Sequence, residues 1–179
     1  MNKIDTLFDR GDDFKATSHV RLGCEWVLAG EGVATEKLDG MNVLIIDDPE
    51  DGLWPCKRHG PNKEEKAAGV EATNIPCVEG DPSDKWHWDA FHSTPNLRPG
   101  YHEAVGPKIQ GNPLGLLAHV LVRIDEVPVY ADVPRTYEGL RDYLATLGSL
   151  YSPGHLAEGI VFRHPDGWMA KIKRKDFAR

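Results

Sequence analysis

Short runs that alternate apolar and polar residues recur along the chain, and this pattern predicts a protein rich in β-strands. Four apolar positions between 140 and 147 instead recur at helical spacing, and they predict a helix over 136–148 with Thr136 as its N-cap. Residues 23–30 fit either a short strand or a short helix. Strands are expected at 32–37, 41–47, 101–106, 117–124, 159–163 and 168–174, with another starting at 56–59. Many strands with few helices indicate the α+β class.

The last two predicted strands are joined by a turn whose type sets the position of Glu158. A two-residue turn at Pro165-Asp166 places Glu158 opposite Lys173 on one face of the sheet. Pro-Asp-Gly is more typical of a type I turn with a bulge at Gly167, which shifts the pairing by one residue and starts Glu158 on the opposite face. Both registers are compatible with the sequence.

The segment from 60 to 100 is rich in Gly, Pro, Asn and charged residues, and we expect a long excursion that contains a small amount of secondary structure. Residues 48–55 also have the composition of a loop. Trp86 and Trp88 either cover a sheet or stack on nucleic-acid bases. A zinc site is suggested by four residues of suitable type, His87, Asp89, His92 and His102. Their spacing, however, fits no standard zinc motif.

Length and composition fit one globular domain spanning residues 1–179. The first residues lack the apolar run of a signal peptide, and no stretch approaches the roughly 20 apolar residues that cross a bilayer. The 3 cysteines form no C-x-x-C pair, which disfavours a disulfide framework and favours a reducing compartment. We therefore expect a cytoplasmic protein with no membrane association.

The net charge of −7 disfavours binding to nucleic acid through bulk attraction. Positive charge is instead concentrated at the carboxyl end, where residues 163–179 hold six basic and two acidic side chains. That distribution suits contact with a polyphosphate or with a few backbone phosphates, although a solvated strand end has the same composition.

Lys37 stands at the end of a predicted strand, and one residue separates it from the tight-turn signal Asp39-Gly40. Its backbone would then be fixed on both sides, as a nucleophile requires. An amine attacks only when it is deprotonated, a state that neighbouring cations and partial desolvation favour. Taken alone, K-x-D-G is weak evidence, since a hairpin that carries a surface lysine has the same pattern.

Five short motifs follow one another in the order and approximate spacing of the covalent nucleotidyltransferase superfamily, which comprises polynucleotide ligases and mRNA capping enzymes. They extend over residues 36–173, nearly the whole chain. Lys37-Leu38-Asp39-Gly40 resembles motif I of the superfamily. Arg58 resembles motif Ia, and Glu103 resembles motif III. Glu158-Gly159-Ile160-Val161 resembles motif IV, and Lys171-x-Lys173 resembles motif V.

The flanking segments are similar to one branch of that superfamily, the RNA ligase 1 family of small ATP-dependent 5′–3′ RNA ligases. The similar segments are EAVGPKIQGNP, HVLVR, VPRTYEGL and EGIVFRHPDGWMAKIKRKDF. The resemblance implies an adenylyltransferase domain of mainly antiparallel sheets with flanking helices. It also implies a reaction in which a lysine accepts AMP from ATP and passes it to an RNA 5′-phosphate, after which a 3′-hydroxyl closes the strand.

The resemblance also assigns roles to individual residues. Lys37 would be the nucleophile, while Lys171 and Lys173 would neutralise the α-phosphate. Glu158 would bind Mg²⁺ or Mn²⁺, directly or through water. The remaining ATP contacts would come from Glu36 at the adenine, Asp39 and Gly40 in the turn, Arg58 and Glu103 at phosphate and ribose, and His119, which is either a stacking partner of the adenine or an ordinary strand histidine.

The sequence departs from many relatives in ending six residues after Lys173, so we expect no C-terminal oligonucleotide-binding domain. Residues 1–30, the 60–100 segment or an accessory protein would then supply the functions of that domain. Two other functions remain open, namely a non-catalytic nucleotide- or RNA-binding domain on the same scaffold, and a DNA ligase or capping-type nucleotidyltransferase. The expected partners are ATP and RNA with 5′-phosphate and 3′-hydroxyl ends.

Overall fold

The computed structural model describes residues 3–177, so Arg179 at the basic carboxyl end lies outside the described part. The described chain forms two compact units, one made mainly of Asp39–Glu126 and the other of Ile4–Leu38 with the chain from Val127 onward. Each unit has a five-stranded sheet. The predicted mixed class is confirmed, with mostly antiparallel strands and few helices. The single-domain arrangement and the lack of a further carboxyl-terminal domain stay predictions.

Regular elements are distributed along the whole described chain. The strands are β1 (Asp5–Thr6), β2 (Phe8–Arg10), β3 (Ala16–Val20), β4 (Val33–Lys37), β5 (Met41–Asp48), β6 (Gly52–His59), β7 (Thr73–Pro76), β8 (Gly100–Val105), β9 (Val120–Arg123), β10 (Val129–Tyr130), β11 (Gly159–Arg163) and β12 (Met169–Lys173). The helices are α1 (Glu25–Leu28), α2 (Lys63–Ala67), α3 (Lys85–Ser93), α4 (Tyr137–Ala145) and α5 (Arg174–Phe177).

The sheet of the second unit has strand order β1-β12-β11-β4-β10, and it is antiparallel except where β1 runs parallel to β12. Because side chains alternate along a strand, β11 and its neighbours turn one face toward a core and the other away from it. Phe162, Ile160 and Ile172 on the core face are fully buried. Each such side chain stabilises the fold by roughly 1.5–3 kcal/mol relative to an exposed position.

The helix predicted over 136–148 is confirmed as α4, with slightly narrower bounds. Thr136 is the N-cap, and its hydroxyl accepts a hydrogen bond from the backbone N–H of Gly139 at 3.1 Å. Leu140 and Leu144, one turn apart, are fully buried in the same core as the sheet residues. The apolar residues at helical spacing in the sequence therefore form the buried face of α4.

The hairpin of β11 and β12 adopts the shifted register of the two that the sequence allowed. Gly159 pairs with Lys173, and Arg163 pairs with Met169. Gly167 has a φ of 88°, the left-handed conformation that suits a glycine at a bulge. Glu158 therefore stands just outside the strand pair, one residue before Gly159.

The sheet of the first unit is antiparallel throughout and has the order β7-β6-β5-β8-β9. Val43, Ile45 and Ala104 are buried in its core together with Ala90 of α3. β6 begins at Gly52, inside the segment predicted to be a loop, because its first residues pair with the end of β5. The loop prediction was wrong there because long-range pairing overrode the local composition.

Asp39-Gly40 does not close a hairpin between its neighbours, since β4 and β5 belong to different sheets. The prediction that this turn joins two paired strands was therefore wrong. Gly40 lies so close to β8 that a Cβ would come within 2.8 Å of Glu103 Cγ and 2.9 Å of Val105 Cγ1. Close approach of the backbone is what requires a glycine here.

The 60–100 segment holds more regular structure than its composition predicts, since it contains α2, β7 and α3. A capping box opens α2, in which the Asn62 side chain accepts from Glu65 N–H and the Glu65 side chain accepts from Asn62 N–H. The ambiguous segment 23–30 is helical, as α1. Within the described chain, no helix is both long enough and apolar enough to cross a membrane.

Candidate active site

Three neighbouring strands place two of the predicted lysines in one row across the sheet of the second unit. Lys37 of β4 pairs with Gly159 of β11, and Gly159 pairs with Lys173 of β12. Residues in one cross-strand row point to the same face, and Gly159 contributes no side chain between the two lysines. A Cβ at this position would lie 2.7 Å from Lys173 Cα. Because β12 approaches so closely, only a glycine fits here, and no side chain of β11 stands between the two lysines.

The carboxylate of Glu158 lies between the two ammonium groups. Its Oε2 lies 2.5 Å from Lys37 Nζ, and its Oε1 forms an ion pair with Lys173 Nζ. The Glu158 side chain is 8% exposed and both lysine side chains are 18% exposed, so the cluster is largely shielded from water. Lys37 Nζ also donates to the backbone carbonyl of Leu38 at 3.2 Å. The shifted hairpin register thus still brings Glu158 to the lysines, because it stands outside the strand pair.

The three groups are electrostatically coupled. Burial raises the pKa of the Glu158 carboxyl, but the ammonium groups of Lys37 and Lys173 outweigh that effect and hold its pKa below the ordinary value. Two cations around one carboxylate leave a net positive charge at the end of the sheet. Such a cluster can bind an anionic group, or it can release the carboxylate to a cation that arrives with the anion.

Lys171 lies in the next row of the same face, where it pairs with Val161 of β11. Strand alternation predicted that Lys171 and Lys173 would share a face, and the register agrees. Thr6 of β1 pairs with Lys171 on its other side. The structure therefore aligns three lysines, including Lys37, along one face of the sheet.

Glu36 lies on the opposite face of β4 from Lys37, because neighbouring residues of a strand point in opposite directions. It is 2% exposed. Its carboxylate accepts hydrogen bonds from the Ser149 hydroxyl at 2.5 Å and from the backbone N–H groups of Leu150 and Tyr151 at 2.8 and 2.9 Å. The structure therefore does not bring the Glu36 side chain together with Lys37. A buried glutamate anchoring a loop has no sequence signal, since its partners are more than 110 positions away.

Glu103 and Gly40 meet in the first unit. The backbone N–H of Gly40 donates to Glu103 Oε1 at 3.1 Å, which fixes the residue that follows Asp39. Asn42 pairs with Glu103 across β5 and β8, and its buried side-chain amide has no hydrogen-bond partner within the described chain. Sequence reasoning missed Asn42, although a polar residue opening an apolar strand was a usable signal. Arg58 is exposed near the end of β6.

His119 packs its ring against Trp86, with centroids 4.9 Å apart and planes 28° from parallel. Its Nε2 accepts a hydrogen bond from the backbone N–H of Lys108 at 3.1 Å, so the proton of the neutral ring is on Nδ1. Nδ1 lies 3.9 Å from a carboxylate oxygen of Asp89. One face of the ring is thus already occupied by protein.

The predicted site residues divide between the two units. The second unit brings together Lys37, Glu158 and Lys173, with Lys171 in the next row and Glu36 on the other face. The first unit holds Asp39, Gly40, Arg58, Glu103 and His119.

Solved structures of an RNA ligase from Naegleria gruberi share this fold, whereas no protein-family model and no curated protein matches the chain. A mutant of that ligase with AMP and Mn is 16% identical, with a TM-score of 0.53. A mutant with ATP and Mn and the ligase with PPi are each 17% identical, with TM-scores of 0.52. These three structures cover 97–98% of this chain but 60–62% of the ligase. The chain therefore has an RNA ligase fold and spans about three fifths of that ligase's length.

Proposed function

We propose that this chain is the nucleotidyl-transfer core of an ATP-dependent RNA ligase and that Lys37 is its nucleophile. The deprotonated Nζ of Lys37 attacks the α-phosphorus of ATP, an N–P bond forms, and the bond to pyrophosphate breaks. The product is lysyl-AMP with pyrophosphate as the leaving group. The observation that carries the proposal is the row of Lys37, Gly159 and Lys173, with Glu158 between the two amines.

The cluster suits this step for an electrostatic reason. Phosphoryl transfer places negative charge on the non-bridging oxygens, and cations fixed beforehand stabilise that charge. Lys173 is fixed in the same row as the nucleophile, and Lys171 follows on the same face. We therefore assign both lysines to the α-phosphate of ATP.

Glu158 provides two carboxylate oxygens, which are the hard ligands that Mg²⁺ and Mn²⁺ take. The donor type therefore fits a divalent cation held by Glu158 together with phosphate oxygens. When bound, such a cation would neutralise phosphate charge and withdraw the carboxylate from the amines. Glu158 would then no longer hold the Lys37 amine in an ion pair, which would leave the amine free to approach the α-phosphorus.

The next two steps would use the RNA. The 5′-phosphate of one strand displaces Lys37 from lysyl-AMP, giving an adenylated end, and a 3′-hydroxyl attacks that end with release of AMP. We keep Arg58 and Glu103 as contacts to phosphate and ribose, Asp39 and Gly40 as the turn that positions the nucleotide, and His119 as the candidate to stack on adenine. For Glu36 we propose a different role, the anchoring of the loop that begins at Ser149, because its carboxylate has three protein donors.

The direct test is incubation of the purified chain with labelled ATP and either Mg²⁺ or Mn²⁺, followed by intact-mass measurement. We expect a mass gain of one AMP, no gain for Lys37→Ala, and a rate about 100-fold lower for Lys173→Met. Lys66→Ala, an exposed lysine of α2, is the matched control and should label normally. Uptake of AMP by Lys37→Ala would remove Lys37 as the nucleophile.

The same incubation, repeated with labelled GTP and then with RNA or DNA ends, separates the alternative functions. Attachment of GMP rather than AMP would indicate a capping-type enzyme, and sealing of DNA ends in preference to RNA ends would indicate a DNA ligase. Binding of nucleotide without any covalent label would indicate a non-catalytic nucleotide- or RNA-binding domain. Joining of RNA 5′-phosphate and 3′-hydroxyl ends by the labelled protein would support the complete reaction.

A further inference from the structure

A second group of chemically reactive side chains lies in the first unit, apart from every residue assigned above. Cys77, Asp84 and His87 each present one ligand-type atom, and these atoms all lie within 4.8 Å of one another. The three residues are 1%, 0% and 7% exposed, respectively. Among the described residues, this is the one group of three such side chains with that spacing.

The backbone around the group is held in place by hydrogen bonds. Cys77 follows β7 directly, and its N–H donates to the Pro55 carbonyl at 2.9 Å. Asp84 precedes α3, and its Oδ2 accepts from the backbone N–H of Val78 at 2.9 Å. His87 lies one helical turn further along, so the fold presents three different ligand types from two fixed segments. Preorganised ligands of this kind lose little freedom on binding a metal.

The side chain of His87 gives independent support for a ligand at this group. Its Nδ1 is buried and has no hydrogen-bond partner within the described chain. The nearest carboxylate oxygen, Asp84 Oδ1, is 4.0 Å away, which is beyond hydrogen-bond distance. A buried polar atom without a partner is costly, and native proteins seldom keep one without a reason.

We propose that Cys77, Asp84 and His87 bind a Zn²⁺ ion. Sulfur, oxygen and nitrogen ligands at about 2.0–2.3 Å from the metal are the set that zinc takes in proteins, with a water completing four-coordination. Binding requires the ligand atoms to contract toward the ion and the Cys77 thiol to give its proton to solvent. The ion would tie β7 to the start of α3 and so brace the 78–83 segment.

The positive charge of Lys57, which lies beside Asp84, provides a test of metal binding. Its Nζ lies 2.5 Å from Asp84 Oδ1 and is the cation that Asp84 now engages. A Zn²⁺ ion at Asp84 would repel this ammonium, and the two cations would compete for the same carboxylate. Removing the charge with Lys57→Met should therefore strengthen metal binding, whereas a purely structural ion pair predicts only a loss of stability.

Co²⁺ titration of the whole chain, freed of metal with a chelator, is the main experiment. We expect one Co²⁺ per chain, with visible bands of tetrahedral cobalt and a near-ultraviolet sulfur-to-cobalt band, both removed by added Zn²⁺. Cys77→Ser should abolish the sulfur band and weaken binding by about 100-fold, and Lys57→Met should strengthen binding by about threefold or more. Cys56→Ser is the matched control, since Cys56 is also a buried cysteine but is not part of the group.

Thermal unfolding with and without Zn²⁺ gives a second readout that needs no catalysis. A metal that binds only the folded state raises the unfolding temperature, and this rise should be present in Cys56→Ser and absent in His87→Ala. Absence of cobalt bands in the wild-type chain would overturn the proposal. So would a sulfur band that survives Cys77→Ser, or a zinc-induced rise that survives His87→Ala.

Discussion

Glu36 and Lys37 are neighbours on β4, and their side chains point to opposite faces of the strand. Replacing Glu36 tests whether its side chain stabilises the fold or contacts ATP. The Glu36 carboxylate is 2% exposed and accepts three hydrogen bonds, from Ser149 Oγ and from the N–H groups of Leu150 and Tyr151. If these bonds define its role, then Glu36→Ala should destabilise the protein. If the side chain instead contacts adenine, the main effect should be on ATP.

The magnitude follows from the number and kind of bonds. A hydrogen bond to a charged acceptor contributes about 1.5–3 kcal/mol, and Glu36→Ala removes three of them, partly offset by rehydration of the loop. We therefore expect its free energy of unfolding to fall by about 3–5 kcal/mol, a large share of the 5–15 kcal/mol typical of a domain. Glu36→Gln keeps an oxygen for Leu150 and Tyr151 and places its amide near Ser149 Oγ. It should lose only about 1–2 kcal/mol.

Urea denaturation with tryptophan fluorescence measures both losses, provided the slope with denaturant stays constant. The double variant Glu36→Ala/Ser149→Ala isolates the coupling between the two side chains, which we expect at about 1–2 kcal/mol. ATP binding, followed by equilibrium dialysis on Glu36→Gln, should change less than about threefold. Glu36 has no anchoring role if Glu36→Ala costs under about 1 kcal/mol, or if Glu36→Gln keeps its stability but binds ATP more than about tenfold less tightly.

Two further predictions concern the neighbouring row of the sheet. Gly159→Ala should lower the free energy of unfolding by about 1–3 kcal/mol, because its Cβ would collide with Ile172 O and Lys173 Cα. At Gly148 the nearest atom to an added Cβ would be His155 O at 3.9 Å, so Gly148→Ala should stay near wild type in the same urea experiment. Equal losses in both variants would show that the close contacts at Gly159 do not matter. The lowered pKa of Glu158 means that its contribution to stability is complete above about pH 4.5 and is lost as the pH falls below that value. The urea midpoint of unfolding should therefore fall less steeply between about pH 5 and pH 3 in Glu158→Gln than in wild type. The exposed control Glu138→Gln should behave like wild type. Parallel curves for all three proteins would show that the ion pairs of Glu158 contribute nothing to stability.

Local patterns in the sequence were sufficient wherever neighbouring residues determine the structure. The helical stripe of Leu140 and Leu144 and the cap at Thr136 predicted α4 because both depend on contacts within the helix itself. The strand pair 159–163 and 168–174 was predictable for the same reason, since its loop is short. The alternation that placed Lys171 and Lys173 on one face needed only the period of a strand.

Long-range contacts account for what the sequence did not reveal. Nothing near Gly52 signals a strand, because the partner that makes it one is β5. The fold also separates β4 and β5 into different sheets, although a tight turn stands between them. The position of Glu158 depended on the hairpin register, which two turn types left open. The group of Cys77, Asp84 and His87 has no standard metal spacing, so its proximity emerged only in three dimensions.

Strand alternation gives the two charged residues at the end of β4 separate tasks. The core-facing carboxylate of Glu36 holds the strand to the loop at 149–151, and the next side chain presents an amine on the other face. Under the proposed function, the first task keeps the strand folded and the second supplies the nucleophile. A substitution of Glu36 should therefore reduce adenylation only in proportion to the folded fraction, whereas a substitution of Lys37 should abolish it in a fully folded protein. Measuring label per folded molecule would distinguish this division of labour from a direct part for Glu36 in the chemistry.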